Sequence, residues 1–133
     1  MNTKTKALIL AAGLGLVSAA QAQVTTYITG STAFRAETFT AIKALYDGGA
    51  PTLQPAAATG SSSKVTYQGT ITPLYGAQTV TIKTAFSGSV EGIVNLVNAA
   101  NPPGITQPTY LNADGSVDAT TAADFAFSDV FQD

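Results

Sequence analysis

Cysteine and histidine are both absent from the 133 residues. Disulfide staples, thiol nucleophiles, Ser-His-Asp triads and most zinc sites are excluded with them, because each needs one or the other. Charge is scarce as well, at 11% of residues, with six basic against eight acidic and a net charge of −2. Beyond Lys4 and Lys6 the basic residues are Arg35, Lys43, Lys64 and Lys83, scattered singly along the chain. Nucleic acid and anionic membrane surfaces both call for a concentrated basic face, so neither is an expected partner. No G-x-S-x-G occurs. Ser61-Ser62-Ser63-Lys64 matches S-x-x-K formally, but it lies in a loop-like stretch rather than at a helix start and lacks the partner motifs, so catalysis is not expected.

Long hydrophobic runs are missing too, apart from Ala7 to Ala20, which is too short to span a bilayer comfortably. Lys4 and Lys6 precede it, and Ala20-Gln21-Ala22 at its end is a small-x-small cleavage site. This is the pattern of a secretory signal peptide cut after Ala22. A periplasmic or secreted location is implied, without stable membrane insertion and, with no cysteine at the cut, without a lipoprotein anchor. Of the 133 residues, removing 22 leaves 111. That is enough for one small α/β domain, whose core must hold the fold unaided by disulfides.

The stretch Val24 to Phe39, VTTYITGSTAFRAETF, reads as a strand, a glycine turn and a helix start in immediate succession. Val24, Tyr27 and Ile28 among threonines give the β-branched and aromatic content of a buried strand, and Gly30 allows the sharp turn. Ser31 or Thr32 caps the helix, in which Phe34, Phe39, Ile42, Leu45 and Tyr46 recur at near-helical spacing until Gly48-Gly49 stops it. Such a corner points free backbone N–H groups and the positive end of a helix dipole at the open end of the strand, a place suited to an anion.

The same grammar returns at Phe86 to Gly104. A strand end and a Gly-Ser turn lead into Ile93, Val94, Leu96 and Val97 on a helix that stops before Pro102-Pro103, with Ser89 as N-cap and Glu91 in the first turn. Between the two corners, Asp47 to Lys64 reads as a surface loop or insertion, Pro73 to Ala77 as a turn, and Val65–Ile71 with Thr79–Phe86 as a hairpin-like excursion of which only the second member belongs to the main sheet. Asn112-Ala113-Asp114-Gly115 is a clear turn signal. Its oxygen-rich spacing does not make a calcium loop, because aligning Gly115 puts Tyr110 and Thr121 where carboxylates are needed. Finally Phe125, Phe127, Val130 and Phe131 read as a buried strand and the residues just after it. The expected topology is β-α-β-α-β with inserted hairpin-like excursions, and the three strand ends lie on one edge.

Three segments, Ile28-Thr29-Gly30-Ser31-Thr32-Ala33-Phe34, Gly88-Ser89-Val90-Glu91-Gly92-Ile93 and Ala123-Asp124-Phe125-Ala126-Phe127-Ser128-Asp129, stand in the order seen in the periplasmic phosphate-binding proteins. The chain resembles the first lobe of these type II solute receptors of phosphate ABC transporters. The last segment is the most specific, as it is similar to the family's (V/A)-D-F-(G/A)-x-S-D signature. The resemblance implies a β-α-β-α-β half of a type II periplasmic-binding-protein lobe over residues 23–133. The second lobe, with its Arg and Ser-Gly-Thr donors, has no counterpart before Asp133, so the expectation is a partial sequence.

By the same resemblance, Thr32 and the Ala33 backbone meet the oxyanion from the first turn, Ser89 from the second, and Asp129 accepts a hydrogen bond from a protonated phosphate. Ser31, Phe34, Arg35 and Gly88 adjoin these positions and are secondary candidates. Val90 comes after Ser89 where many members carry a second Ser or a Gly. Two helix N-termini favour a buried anion by roughly 0.6–2 kcal/mol through their dipoles. An ionised Asp129 selects an anion that still has a proton to give. Arg35 sits in a first helical turn, where a cation is misplaced unless it pairs with Glu37, Asp129 or a ligand. The implied partners are phosphate or a related oxyanion and an ABC transporter permease, with no cofactor. The competing expectation is a secreted structural or surface protein of the same fold without a small ligand, in keeping with the Ala/Thr/Ser/Gly-rich, low-charge composition. Mass spectrometry of the exported product is expected to place its N-terminus at Gln23; a product retaining Lys4 and Lys6 would rule out the leader.

Overall fold

Threonine, valine and isoleucine dominate the stretches that become strands, as expected where branched side chains pack on a pleated surface. The structure, a computed structural model, describes residues 23–97 and 108–129. The expected leader, the Pro102-Pro103 helix stop, and Val130 and Phe131 lie outside those residues. Seven strands and three helices are described: β1 (Val24–Gly30), α1 (Arg35–Leu45), β2 (Thr52–Gln54), β3 (Lys64–Thr70), α2 (Thr72–Tyr75), β4 (Thr79–Phe86), α3 (Ser89–Val97), β5 (Tyr110–Leu111), β6 (Val117–Asp118) and β7 (Phe125–Phe127). Five of the strands form one mixed sheet in the order β2-β3-β4-β1-β7.

Within the sheet, β4, β1 and β7 run parallel, with Gly30 opposite Phe86 on one side and Phe127 on the other. Their C-terminal ends therefore share one edge. From that edge the chain turns into α1 after β1 and into α3 after β4. The chain is thus a mixed α/β fold. The antiparallel strands β3 and β2 extend the sheet beyond β4. β5 and β6 form a separate hairpin closed by the Asn112–Ser116 turn, in which Gly115 takes a φ of 85°.

One face of the sheet is apolar. Ile42 and Tyr46 from α1 and its C-terminal cap pack on Val65, Tyr67, Val80 and Ile82, all buried. Each buried aliphatic side chain there contributes about 1.5–3 kcal/mol. Tyr46 donates its hydroxyl toward the carbonyls of Tyr67 (3.0 Å) and Val80 (3.2 Å), so its polar end is satisfied inside the core. The ring fits because position 69 is glycine: a Cβ there would lie 2.8 Å from the Tyr46 ring.

The opposite face is polar. Lys83, only 7% exposed, reaches from β4 to the β5–β6 hairpin, donating to Asn112 Oδ1 at 2.5 Å and pairing with Asp118 at 3.6 Å. Its ammonium also lies 5.1 Å from the centre of the Tyr27 ring, which in turn meets Tyr110 edge-on at 5.0 Å. A buried lysine requires such partners. The hairpin is held further by Lys64 to Thr109 Oγ1 and by Thr66 Oγ1 to the Leu111 carbonyl at 2.5 Å.

Four sequence expectations are corrected. The Asp47–Lys64 loop contains an edge strand, because Thr52–Gln54 pairs with the exposed side of β3. Pro73–Ala77 is not a simple turn, since Pro73 sits within the short helix α2, in its first turn, where its missing N–H costs nothing. Both members of the hairpin-like pair belong to the main sheet. The Phe125–Phe127 strand is not buried: Phe125 is 59% and Phe127 40% exposed, because β7 is a three-residue edge strand beyond the cover of α1. An open apolar groove of about 450 Å³ runs there, between α1 and β7, past Ile28, Phe34, Leu45 and Phe127. No helix among the described residues is long and apolar enough to cross a membrane.

The tightest approach in the fold joins three elements. Gly30, at φ 134°, would drive a Cβ to 2.1 Å from the Phe127 carbonyl oxygen, and a Cβ on Gly92 of α3 would lie 2.6 Å from the Gly30 Cα. Alanine at either position must push backbone aside, so Gly30→Ala and Gly92→Ala are each expected to cost about 3 kcal/mol in urea unfolding. Full stability in both variants would show that α3 does not sit this close to β1. Asn95 makes a contrasting case, fully buried with neither side-chain atom hydrogen-bonded. Replacement by Leu, which has the same number of side-chain heavy atoms but is bulkier, is expected to stabilise by about 1 kcal/mol, since it removes two unsatisfied polar atoms.

Candidate functional site

The glycine contacts bring the three sequence segments to one point. With Gly30 pressed against β7, the Ser31 N–H donates to the Phe127 carbonyl at 2.8 Å. On the other side the Gly88 N–H donates to the Gly30 carbonyl at 3.1 Å. The end of β1 is therefore tied to the ends of both parallel neighbours, and the turns beyond them lie side by side.

Ser31 is buried and acts as the cap. Its Oγ accepts from the Ala33 N–H at 3.1 Å at the head of a 3₁₀ turn, Thr32–Phe34, that leads into α1. The Ser31 side chain also lies beside the Asp129 carboxylate. The Ser89 hydroxyl donates to Asp129 Oδ1. Two hydroxyls from two different turns thus converge on a carboxylate delivered by the third. These bonds, Ser89 first and Ser31 second, hold the Asp129 carboxyl below its ordinary value of 3.8. Asp129 is exposed and ionised at neutral pH.

The individual candidates fare differently. Ser31, Ser89 and Asp129 meet directly. Thr32 and Phe34 are exposed at the rim, with the Phe34 ring 6.0 Å from that of Phe127. Ala33 is in place, but its N–H is spent on Ser31. Gly88 carries a φ of 154° and its carbonyl accepts from Gly92 at 2.9 Å, so Gly88, not Ser89, occupies the cap position of α3. Ser89 is the first helical residue and is freed to donate to Asp129. The early amides of α3 point along the axis toward the same edge, as those of any helix start do.

Arg35 departs from expectation. It pairs with neither Glu37 nor Asp129; its Nη1 donates to Ser63 Oγ at 3.2 Å, and its Nε is buried without a partner. The reason is topological. Ser63 is fixed beside β4 by the bond from the Phe86 N–H to its carbonyl, 2.8 Å. That puts a hydroxyl within reach of the first turn of α1. The sequence signal for it was weak, one serine in a Ser-rich run.

Sequence reading passed over the Lys83–Asp118 pair, although a lysine inside TVTIKTAF announces a buried cation that needs a counter-charge. At Asp118 desolvation raises the pKa, but it is outweighed by hydrogen bonds from Thr120 and Thr121 and by the Lys83 charge, so the net shift is downward from 3.8. Asp47 is lowered too, by Thr70 and Thr72, which tie the start of α2 to the segment after α1. A folded-state pKa below the unfolded one means that the unfolded chain binds more protons in that window. Stability from these carboxylates is therefore complete above the unfolded value of about 4 and is lost as the pH falls through the folded values. Thermal melts are expected to be flat from about pH 7 to 5 and to drop below about pH 4. With Asp118→Asn the acid-side drop should shrink; an unchanged drop would exclude Asp118 as a contributor.

The oxygens of the 112–118 turn are committed internally. Asp114 accepts from the Ser116 N–H and hydroxyl, and Asn112 and Asp118 face the Lys83 ammonium.

A scan against protein-family models finds no match to this chain, and comparison with curated proteins and with solved structures finds none either.

Proposed function

We propose that this chain is the N-terminal lobe of an exported solute receptor that binds phosphate or a similar oxyanion without catalysis, for uptake through an ABC-type permease. The observation that carries the reading is the convergence of the Ser31 and Ser89 hydroxyls on Asp129, at the edge where three parallel strands end. Ligand sites in open α/β sheets gather at that edge. The order of the three segments, their resemblance to the type II phosphate receptors and the leader sequence are consistent with it.

The chemistry rests on the donor count. In the unliganded site the Ser89 proton rests on Asp129, with the Ser31 side chain beside it. When a protonated oxyanion enters, its own O–H takes the place of Ser89 on Asp129, and the Ser89 hydroxyl turns to an anion oxygen. The Thr32 hydroxyl at the rim and the α3 N-terminus supply further donors. Hydrogen bonds are conserved in that exchange. A fully deprotonated anion such as sulfate brings no proton, so it strips a donor from Asp129 and sets two negative charges side by side, and selectivity for monohydrogen or dihydrogen phosphate results.

A second reading, a structural or surface protein with no small ligand, has one observation in its favour: Ser31, Ser89 and Asp129 already satisfy one another. Calorimetric titration of inorganic phosphate separates the two. The receptor reading expects saturable binding that weakens at least about tenfold in Thr32→Val combined with Asp129→Asn, with sulfate bound far less well than phosphate by the unaltered chain. Affinity unchanged in the double variant would remove this site from consideration, and absence of any binding by the unaltered chain would favour the structural reading.

A further inference from the structure

A second cavity, separate from the Asp129 cluster, lies on the polar side of the sheet. It encloses about 180 Å³ between the ends of β3 and β4, the first turn of α3 and the strand-side approach to β5. Two opposite charges face it, Lys64 and Glu91. Neither takes part in an ion pair among the described residues, so their charged atoms stand further apart than 4.0 Å. The Lys64 ammonium is held in position by the Thr109 hydroxyl, itself part of the wall. Ser87 adds a second hydroxyl, and Phe86 and Pro108, both buried, give an apolar floor.

From this arrangement we infer that the cavity is a binding site for a small zwitterion of the α-amino-acid class, its carboxylate on Lys64 and Thr109 and its ammonium on Glu91. The charge pattern decides the class. A simple anion gains Lys64 but is repelled by Glu91, and a simple cation meets the reverse; only a molecule carrying both charges satisfies both walls. Size narrows it further. At about 30 Å³ per water the cavity holds about six water volumes, room for an amino acid of small to moderate size. The apolar floor accepts an aliphatic side chain. None of these residues belongs to the Ser31, Ser89 and Asp129 cluster, so the inference stands or falls apart from phosphate binding.

The test is a titration of the full-length chain with L-alanine and glycine, monitored through backbone amide resonances, with acetate and methylammonium as single-charge controls. Saturable shifts centred on Ser87, Glu91 and Thr109 are expected with the amino acids, and at least about tenfold weaker binding is expected in both Lys64→Met and Glu91→Gln. Lys64→Arg keeps the charge and should retain binding, which separates loss of the contact from loss of the fold. Three results would overturn the proposal: no saturable shift with either amino acid up to about 50 mM, equal response to acetate and to alanine, or unaltered affinity in both charge variants. Asp129→Asn, by contrast, is expected to leave alanine binding untouched.

Discussion

The contact on which the rest depends is the backbone approach at Gly30. A strand that ends with φ 134° and no side chain lets the Phe127 carbonyl come in from one side and the Gly92 backbone from the other. No L side chain fits between them. Because β1 is the middle one of the three parallel strands, this single position sets how closely β7 pairs and how deeply α3 seats on the sheet. The hydrogen bonds Ser31 to Phe127 and Gly88 to Gly30 then become possible, and they fix the turns that carry the candidate site. Site geometry here is a consequence of steric permission rather than of strong attraction.

The two faces of the sheet are stabilised by different physics. The α1 face is an ordinary aliphatic and aromatic core in which one hydroxyl, that of Tyr46, is absorbed by two strand carbonyls. The opposite face is built on Lys83, Asp118, Asn112 and a series of threonines. Burial of an ion pair adds little net stability, but removal of one partner leaves a stranded charge, so such a pair specifies where the hairpin docks more than it strengthens the fold. Asp118 on this polar side is one of the carboxylates whose lowered pKa ties stability to pH. The apolar groove between α1 and β7 shows the opposite imbalance, with Phe34, Leu45 and Phe127 all substantially exposed. Patches of that kind favour association.

Asp129 illustrates how a site can be self-consistent before any ligand arrives. Its carboxylate takes the hydroxyl proton of Ser89, with Ser31 beside it, and Ser31 in turn holds the Ala33 amide. The chain of bonds orients each member, so the groups are already placed. Preorganisation of this sort lowers the ordering cost of binding. The same closure is why hydroxyls and a carboxylate at a strand edge do not, on their own, amount to a ligand site.

Much of the architecture was legible in the residues themselves. Period-two and period-3.6 patterns located β1, α1, β3, β4, α3 and the 112–116 turn, because each rests on local geometry: branched residues on a pleat, a Ser or Gly at a helix start, Asn-Ala-Asp-Gly at a bend. The meeting of the Ser31, Ser89 and Asp129 segments was also implicit in the sequence, since parallel strands joined by helices must end on one edge. What local chemistry does not encode is which neighbour a side chain finds. Arg35 reaches Ser63 rather than a carboxylate because β4 holds Ser63 there. Gly88 displaces Ser89 from the cap because Gly92 must lie on Gly30. Phe125 and Phe127, apolar by composition, stand exposed because their strand lies at the edge, and the strand Thr52–Gln54 exists only because β3 offers it a free side to pair with. Sequence alone determined β1, α1, β3, β4 and α3 and their order; the edge strand β2, the pairing of distant polar groups and the covering or exposure of each strand were decided by tertiary packing, where long-range sterics outweigh local preference.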